Sequence, residues 1–338
     1  MVNRILNRLQ RLSPGMALLL LAPVLGELVS GHQTLFQFIN PLAFVLSALP
    51  YGCGAIVCRE LKIRWDKGWV SLALLGIAYG LYEEALVARS FWDPDWAELG
   101  ALRDYSYWRG VVWTYFEVLI HFHLTISILA SVILTEILYP DQRRESWVSN
   151  RGLIACFVGL GIWMVPLVLI NPFMPPWPGF IATIVTIVGL IVLARIVPAR
   201  VFPARPGLNV RPLWYGVIGV INVSVTFIAI FTLPEIDPSW LPSWPVMFTL
   251  IAMLNLLTFG VLLWWSGNGA DWDDRHKLLF VIGLLAFFLV MDFFSDLERF
   301  GGLSIVAVVT ILALRKVWLN VQSRYASEAV GAPELSVS

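Results

Sequence analysis

The feature that most limits what this chain can fold into is a succession of apolar runs, each close to membrane-spanning length. A helix needs roughly 20 apolar residues to cross ~30 Å of hydrocarbon. Charged residues make up only 14% of the chain, against about 25% in soluble proteins. The sequence therefore predicts an all-α, polytopic transmembrane bundle of about ten helices. The predicted spans are 15–31, 38–58, 68–91, 108–138, 152–170, 178–197, 213–233, 245–266, 278–296 and 300–320.

The basic residues predict which way the bundle is oriented. With the N-terminus inside, 19 of the 23 Lys and Arg residues fall on the inner side. Only Arg89, Arg103, Arg109 and Arg299 lie on or near the outer side. Cytoplasmic loops are enriched in Lys and Arg, and an incorrect number of spans would disrupt this alternation. Both termini are therefore predicted to be cytoplasmic.

The organisation predicted is one transmembrane domain, residues 1–325, followed by a disordered polar tail, 326–338. The run Met16–Gly26 is interpreted as a retained first helix, because no small-residue cleavage site follows it. The expected partner is the lipid bilayer of a cell membrane, the cytoplasmic membrane in a prokaryote. A formal net charge of zero gives no reason to expect a nucleic-acid partner.

Ionisable residues inside the spans are the functional candidates, since each costs at least ~2.5–3.5 kcal/mol on insertion scales. The candidates in the third and fourth spans are Glu83, Glu84, Arg89, Glu117, His121 and His123. The rise of a helix places both sets within roughly 10 Å of the same depth. Consecutive helices with a short connection are usually neighbours. One of the two adjacent glutamates is therefore expected to face one of the two histidines.

The two histidines of the fourth span are expected to face different neighbours. Glu117 and His121 are four residues apart and share a helix face. His123 points elsewhere, in line with Leu119 and Ser127. One histidine can therefore meet the glutamates of the third span while the other meets another helix.

Three more acidic residues lie toward the outer side. Glu27 is near the end of the first span, and Asp292 and Asp296 are in or near the ninth. Together with the candidates above, they suggest a polar pocket that opens outward. The structural alternative is that Glu83, Glu84 and Arg89 form an ion-pair group that closes a helix end.

A carboxylate beside an imidazole in a site of low dielectric constant can activate water, with the imidazole donating to the developing oxyanion. This chemistry predicts an intramembrane hydrolase acting on a membrane-embedded peptide or a lipid-linked molecule. The same groups suit a transporter or ion-coupled carrier. A third interpretation is a non-catalytic membrane subunit whose polar core fixes helix packing. The pattern leaves both a cofactor and metal binding open.

The residues Glu83-Glu84 and Arg89 resemble the EExxxR motif of the CPBP intramembrane proteases, the CAAX-protease and bacteriocin-processing group. Glu84 and Arg89 keep the offset between the first glutamate and the arginine of that motif. His123 matches the histidine of the family's FxxxH motif, with Leu119 in place of phenylalanine. The resemblance implies a water-activating Glu84, an orienting Arg89 and a histidine partner.

The resemblance covers about 40 residues and departs from the family elsewhere. With Glu84 as the first glutamate of the motif, Ala85 occupies the position of the second. No HxxxN motif follows, so Asp292 or Asp296 would have to take that role. Other enzyme classes lack their residues here, since four histidines are too few for a membrane di-iron oxygenase and no phosphate-binding loop or GxSxG motif is present.

Overall fold

The computed structural model describes residues 2–205, 208–269, 272–299 and 301–331. Within these ranges nine helices are long and apolar enough to cross a membrane, and a shorter apolar helix precedes them. The prediction of an all-α polytopic bundle is confirmed. The helices are α1 Pro14–Leu28, α2 Pro41–Arg64, α3 Trp69–Ala88, α4 Trp113–Leu138, α5 Asn150–Ile170, α6 Trp177–Ile196, α7 Pro212–Ile236, α8 Trp244–Trp265, α9 Asp274–Arg299 and α10 Leu303–Gly331.

Proline and capping side chains determine where the first two helices begin. Pro14 and Pro41 occupy first-turn positions, where the missing N–H removes no helical hydrogen bond. The side chain of Ser13 accepts a backbone N–H of α1, and Asn40 Oδ1 accepts that of Leu42 at 3.0 Å. These caps satisfy N–H groups that a helix leaves without partners.

The first helix is shorter than the predicted span 15–31. It comprises ten α-helical residues and five π-helical residues, and its axis is about 22 Å long. The chain leaves the helix after Leu28 and turns at Gly31, whose φ is 76°. Glycine adopts that conformation without steric cost, so the turn stops the helix before it reaches the predicted length.

The fourth span begins later than the predicted residue 108. Tyr107–Trp108 (β1) and Val111–Val112 (β2) instead form a two-stranded antiparallel hairpin. Its turn residues, Arg109 and Gly110, have φ values of 51° and 85°. Two consecutive positive φ values are those of a tight hairpin turn, so the polypeptide cannot be helical there.

The last helix continues past residue 325, where the sequence predicts the tail to start. α10 ends at Gly331, because extending an existing helix through Ala-Ser-Glu-Ala-Val needs no new nucleation. The rest of the predicted tail, 332–338, lies outside the described residues.

Helix α4 is the central element of the bundle and contacts α1, α3, α8 and α9. Its approach to α3 is close because α3 carries Gly76 and Gly80. A Cβ added at Gly80 would lie 3.1 Å from the Cβ of His123, and one at Gly76 would lie 3.0 Å from Leu124. Small residues four apart are the usual means by which membrane helices pack closely.

Exposed apolar side chains concentrate on the peripheral helices α5, α6, α7 and α8. Leu169, Val185 and Leu256 are 78%, 65% and 72% exposed. In water such surfaces would be unfavourable, whereas they suit contact with lipid chains.

A buried ion network joins the helix ends on the side predicted to be inner. Arg59, which is fully buried, donates to Glu60 at 2.9 Å and lies 3.9 Å from Glu136. Lys62 approaches Glu136 to 3.1 Å. Because each buried charge has an opposite partner, the network holds α2 against α4 without an unpaired ion.

Candidate functional site

Several of the side chains that surround His123 come from π-helical segments. The π-helical segments of the described chain are Val24–Leu28 with Glu27, Ala48–Gly52 with Tyr51, Tyr82–Ala88 with Glu83 and Glu84, His123–Ala130 with His123, and Ile228–Thr232 with Phe231. A π-helical turn inserts a residue into the helix and redirects the side chains around it. Five helices are therefore distorted at the point where they meet.

Prolines explain two of these distortions. Pro23 lies inside α1, directly before its π-helical segment, and Pro50 lies within that of α2. A proline inside a helix removes one backbone donor and clashes with the preceding turn. The π-helical segments of α3 and α4 contain no proline.

His123 has a carboxylate next to each of its ring nitrogens. Its Nε2 lies 2.8 Å from Glu84 Oε1, and its Nδ1 lies 3.3 Å from Glu83 Oε2. Ser127 Oγ lies 3.1 Å from the same Nδ1. The imidazole is almost fully buried, at 1% exposed. The two adjacent glutamates thus bracket one histidine of α4.

Three aromatic rings fix the plane of the His123 imidazole. Tyr51 stacks on it with ring centroids 6.0 Å apart, while Tyr79 and Phe122 meet it edge-on at 5.7 and 5.3 Å. Such offset and edge-on arrangements are the favoured geometries of aromatic pairs. These three ring contacts restrict rotation of the imidazole away from Glu84.

The cluster formed by Glu83, His123 and Glu84 can bind one more proton than a neutral histidine carries. A neutral imidazole has a single N–H, whereas both nitrogens donate only in the charged form. Within the described chain, Glu83 Oε2 has no hydrogen-bond partner although it lies beside Nδ1 of His123. A proton at either atom completes that contact, so the Glu83–His123–Glu84 cluster can both hold and release a proton.

The second oxygen of Glu84 is held by Ser90. The hydroxyl of Ser90 donates to Glu84 Oε2. Ser90 is fully buried and follows Arg89, which has a left-handed φ of 61°. The turn at the end of α3 thus brings the hydroxyl back onto the carboxylate.

Glu84 and His123 line a cavity of about 210 Å³, which we call the Glu84 cavity. Its lining includes the polar residues Glu84, His123, Tyr51, His32 and Glu98. It also includes the apolar residues Phe122, Phe227, Phe231, Phe288 and Leu119. The cavity therefore suits a molecule that combines a polar group with an apolar group.

His32 stands at the predicted outer rim of the Glu84 cavity. Its Nε2 lies 3.7 Å from Glu98 and 4.0 Å from Glu27. Burial by itself lowers the pKa of His32, but the carboxylates of Glu27 and Glu98 outweigh it, so this pKa is raised. The rim therefore gains positive charge at mildly acidic pH.

Arg89 does not meet the glutamates as the motif implies. Its guanidinium donates to the backbone carbonyls of Phe173 at 2.8 Å, Leu167 at 3.0 Å and Asn171 at 2.5 Å. These are carbonyls at and beyond the C-terminal end of α5, which a helix leaves without partners. Arg89 thus fastens the end of α3 to α5, and its hydrogen bonds go to backbone carbonyls and the Met174 sulfur rather than to Glu84.

Glu117 and His121 lie in a different cavity, on another face of α4. This cavity of about 200 Å³, the Glu117 cavity, is lined by residues of α3, α4, α7, α8 and α9. A step of two residues rotates a helical side chain by about 200°, which separates His121 from His123. The six predicted site residues therefore fall into three places: the His123 cluster, the Glu117 cavity and the Arg89 cap.

The other predicted acidic residues divide as well. Glu27 is buried near His32, Tyr51 and His123 and so lies beside the His123 cluster. Asp296 accepts the backbone N–H groups of Leu303 and Ser304, each at 3.0 Å, and so caps α10. Asp292 is buried but lines neither cavity.

Sequence reasoning missed Tyr51 and Tyr79. Tyr79 precedes Glu83 by four residues, and this helical spacing places both on one face. Tyr51 has no such signal, because its ring reaches His123 only through the packing of α2 against α1. A Cβ at Gly26 of α1 would lie 2.3 Å from that ring.

No group of three or more His, Cys, Asp and Glu side chains within the described ranges is arranged to hold a metal ion. The comparisons with known proteins add a family but no activity. No curated protein and no solved structure matches the chain. A family model does match, over residues 16–321 of the 338. The chain therefore belongs to an uncharacterized membrane protein family.

Proposed function

We propose that this protein is an intramembrane hydrolase that acts on an amphiphilic substrate, a membrane peptide or a lipid-linked molecule. One observation supports this most: the Glu84–His123 pair lines a cavity that is also lined by four phenylalanine rings. A substrate with a hydrolysable carbonyl next to an apolar chain suits both kinds of lining residue. Buried ionisable residues of a membrane helix are functional candidates by default.

The proposed reaction uses Glu84 as general base. A water molecule between Glu84 and the substrate attacks the carbonyl carbon, and its proton passes to the Glu84 carboxylate. As Glu84 takes up this proton, the Nε2–H of His123 shifts from Glu84 Oε1 to donate to the oxyanion that forms. Collapse of the tetrahedral intermediate breaks the bond to the leaving group, which takes the proton from Glu84.

Glu83 and the aromatic rings are assigned positioning roles. Glu83 lies at Nδ1 of His123, on the side of the ring away from Glu84. It therefore stabilises the protonated, positively charged imidazole, in which both ring nitrogens donate. A third group that orients the acid–base partner is the usual arrangement in such sites. Tyr51 and Tyr79 keep the ring in place.

The resemblance to the CPBP proteases supports the same roles for Glu84 and His123. It does not extend to Arg89, whose bonds go to backbone carbonyls of α5 and the following loop. We therefore assign Arg89 the task of positioning Ser90 and, through it, the carboxylate of Glu84.

The test is a product search with purified protein in lipid nanodiscs. Labelled transmembrane peptides and acyl-ester lipids are incubated with wild type, Glu84→Gln and the matched acid-to-amide control Asp104→Asn, which alters an exposed residue of the short helix Leu102–Ser106 between α3 and α4. Loss of a general base costs about 10²–10⁴ in rate. We expect products with wild type and the control and a decrease of that size with Glu84→Gln. Equal product formation by Glu84→Gln would overturn the assignment.

A second candidate function, proton-coupled transport, is favoured by Glu27, Glu83 and Glu84 around one imidazole. Chains of carboxylates and histidines are typical of proton relays in carriers. Transport predicts no products from any probe, but solute uptake into proteoliposomes that depends on a pH gradient and is lost in Glu84→Gln. The product search and the uptake assay therefore separate the two functions.

A further inference from the structure

The Glu117 cavity holds two buried polar atoms without partners. Within the described chain, Glu117 Oε2 and His121 Nε2 have no hydrogen-bond partner, and their residues are only 8% and 5% exposed. They come from consecutive turns of α4 and line the same cavity. A buried polar group left unsatisfied costs about 1–3 kcal/mol. Both atoms are therefore positioned to accept or donate to a bound molecule.

The other polar side chains of the lining already have hydrogen-bond partners. Asn222 Nδ2 donates to Asn255 Oδ1 at 2.8 Å and to Thr258 Oγ1 at 3.3 Å. The hydroxyl of Thr125 donates to the backbone carbonyl of His121 at 2.7 Å. The unmet bonding capacity is therefore concentrated on Glu117 and His121.

The charges of the lining residues indicate which charge a bound molecule should carry. Glu117 is the one acidic residue among the lining residues, and none of them is Lys or Arg. A buried carboxylate without a counter-ion is unfavourable. A ligand with a single positive charge and N–H donors would neutralise Glu117 and satisfy both free acceptors.

The rest of the lining favours an organic cation over a metal ion. Phe116, Phe259 and Phe280 line the cavity, and aromatic faces attract ammonium groups. An imidazole nitrogen and phenyl rings are poor ligands for Na⁺, which is bound by oxygen atoms. Helix α8 exposes the apolar side chains of Leu256 and Leu257 beside this cavity. The apolar tail of an amine bound in the cavity can therefore lie along this surface.

We propose that the Glu117 cavity binds the ammonium group of an amphiphilic amine, with the Glu117 carboxylate as counter-ion and His121 Nε2 as a second acceptor. This site is separate from the Glu84 cavity and does not depend on the proposed hydrolysis.

The test measures the melting temperature of the full-length protein in detergent with increasing butylammonium chloride. Sodium chloride at equal ionic strength and 1-butanol at equal concentration are the controls. We expect a saturable rise of about 2–4 °C with butylammonium alone, at roughly tenfold excess over its dissociation constant. Glu117→Gln should abolish the rise, whereas Glu84→Gln, in the other cavity, should keep it.

Four outcomes would overturn the proposal: no rise, an equal rise with sodium chloride, an equal rise with butanol, or a rise that persists in Glu117→Gln. An equal rise with sodium chloride would indicate a metal-cation site, and an equal rise with butanol would indicate a purely apolar site. If Glu117→Gln does not fold, His121→Phe replaces it, since the ring is kept and only the acceptor is lost. Isothermal titration should then show butylammonium binding weakened about 5–10-fold relative to wild type.

Discussion

The carboxylate of Glu84 lies 2.8 Å from the imidazole Nε2 of His123, although 39 residues separate them along the chain. Two glycines of α3 make this contact geometrically possible. Gly76 and Gly80 let α4 approach α3 closely, just before the glutamates are reached. The pair therefore depends on backbone packing as much as on the two side chains themselves.

Glu84→Gln should leave the protein folded and about as stable as wild type. Glutamine has the shape of glutamate and still bonds to His123 and Ser90, while one buried charge is removed. We expect the free energy of unfolding to change by no more than about 1 kcal/mol. Thermal melting in detergent measures this change. A decrease of many degrees would mean that Glu84 is primarily structural.

His123→Ala should destabilise the protein far more than His121→Ala. Loss of His123 leaves the buried carboxylates of Glu83 and Glu84 without their shared partner, and breaking a buried ion pair costs about 3–5 kcal/mol. Nε2 of His121 has no partner in the described chain, so its removal costs mainly packing. Thermal melting of the two variants in detergent measures their losses of stability. Equal losses would contradict the placement of His123 between the carboxylates of Glu83 and Glu84.

His32→Gln should lower stability at acidic pH only. The raised pKa of His32 in the folded protein means that its stabilising contribution is complete below the unfolded value of 6.5 and disappears as pH rises through the folded value. We expect wild type and His32→Gln to have the same melting temperature at alkaline pH. As pH falls through the pKa of His32 in the folded protein, the melting temperature of His32→Gln should drop below that of wild type. A difference that grows with rising pH would have the wrong sign.

Gly283→Ala should destabilise the bundle, whereas Gly260→Ala should not. A Cβ at Gly283 of α9 would lie 2.1 Å from the carbonyl oxygen of Gly216 of α7, while nothing lies within 4 Å of one at Gly260. Forcing the helices apart costs about 1–3 kcal/mol, and alanine at an open helical site is neutral or stabilising. Thermal melting of both variants measures the difference in stability. Similar melting curves would show that α7 and α9 do not pack closely at Gly216 and Gly283.

Much of the fold could be predicted because local composition determines it. Apolar runs of spanning length must become helices, since the hydrocarbon offers no partner for backbone N–H and C=O groups. The same reasoning fails at the ends of the runs. The hairpin at Arg109 and Gly110 and the turn at Gly31 depend on positive φ values, which hydropathy does not register.

The candidate site could be predicted in part. Two glutamates and two histidines at similar depth on consecutive helices are visible in the sequence, and the structure places Glu83 and Glu84 at His123. Which histidine faces them depends on the rotation of α4. That rotation is set by π-helical segments and by glycine contacts with α3, and neither has a reliable pattern along the chain.

By itself, the sequence determined that this chain is a polytopic helical membrane protein with ionisable residues buried in its third and fourth helices. Length and hydropathy suffice for that, because each helix satisfies its own backbone. Only the tertiary structure separated His123 from His121, brought Tyr51 onto the imidazole and turned Arg89 toward α5. Those arrangements arise from contacts between helices distant in sequence, where small rotations decide which buried charges meet.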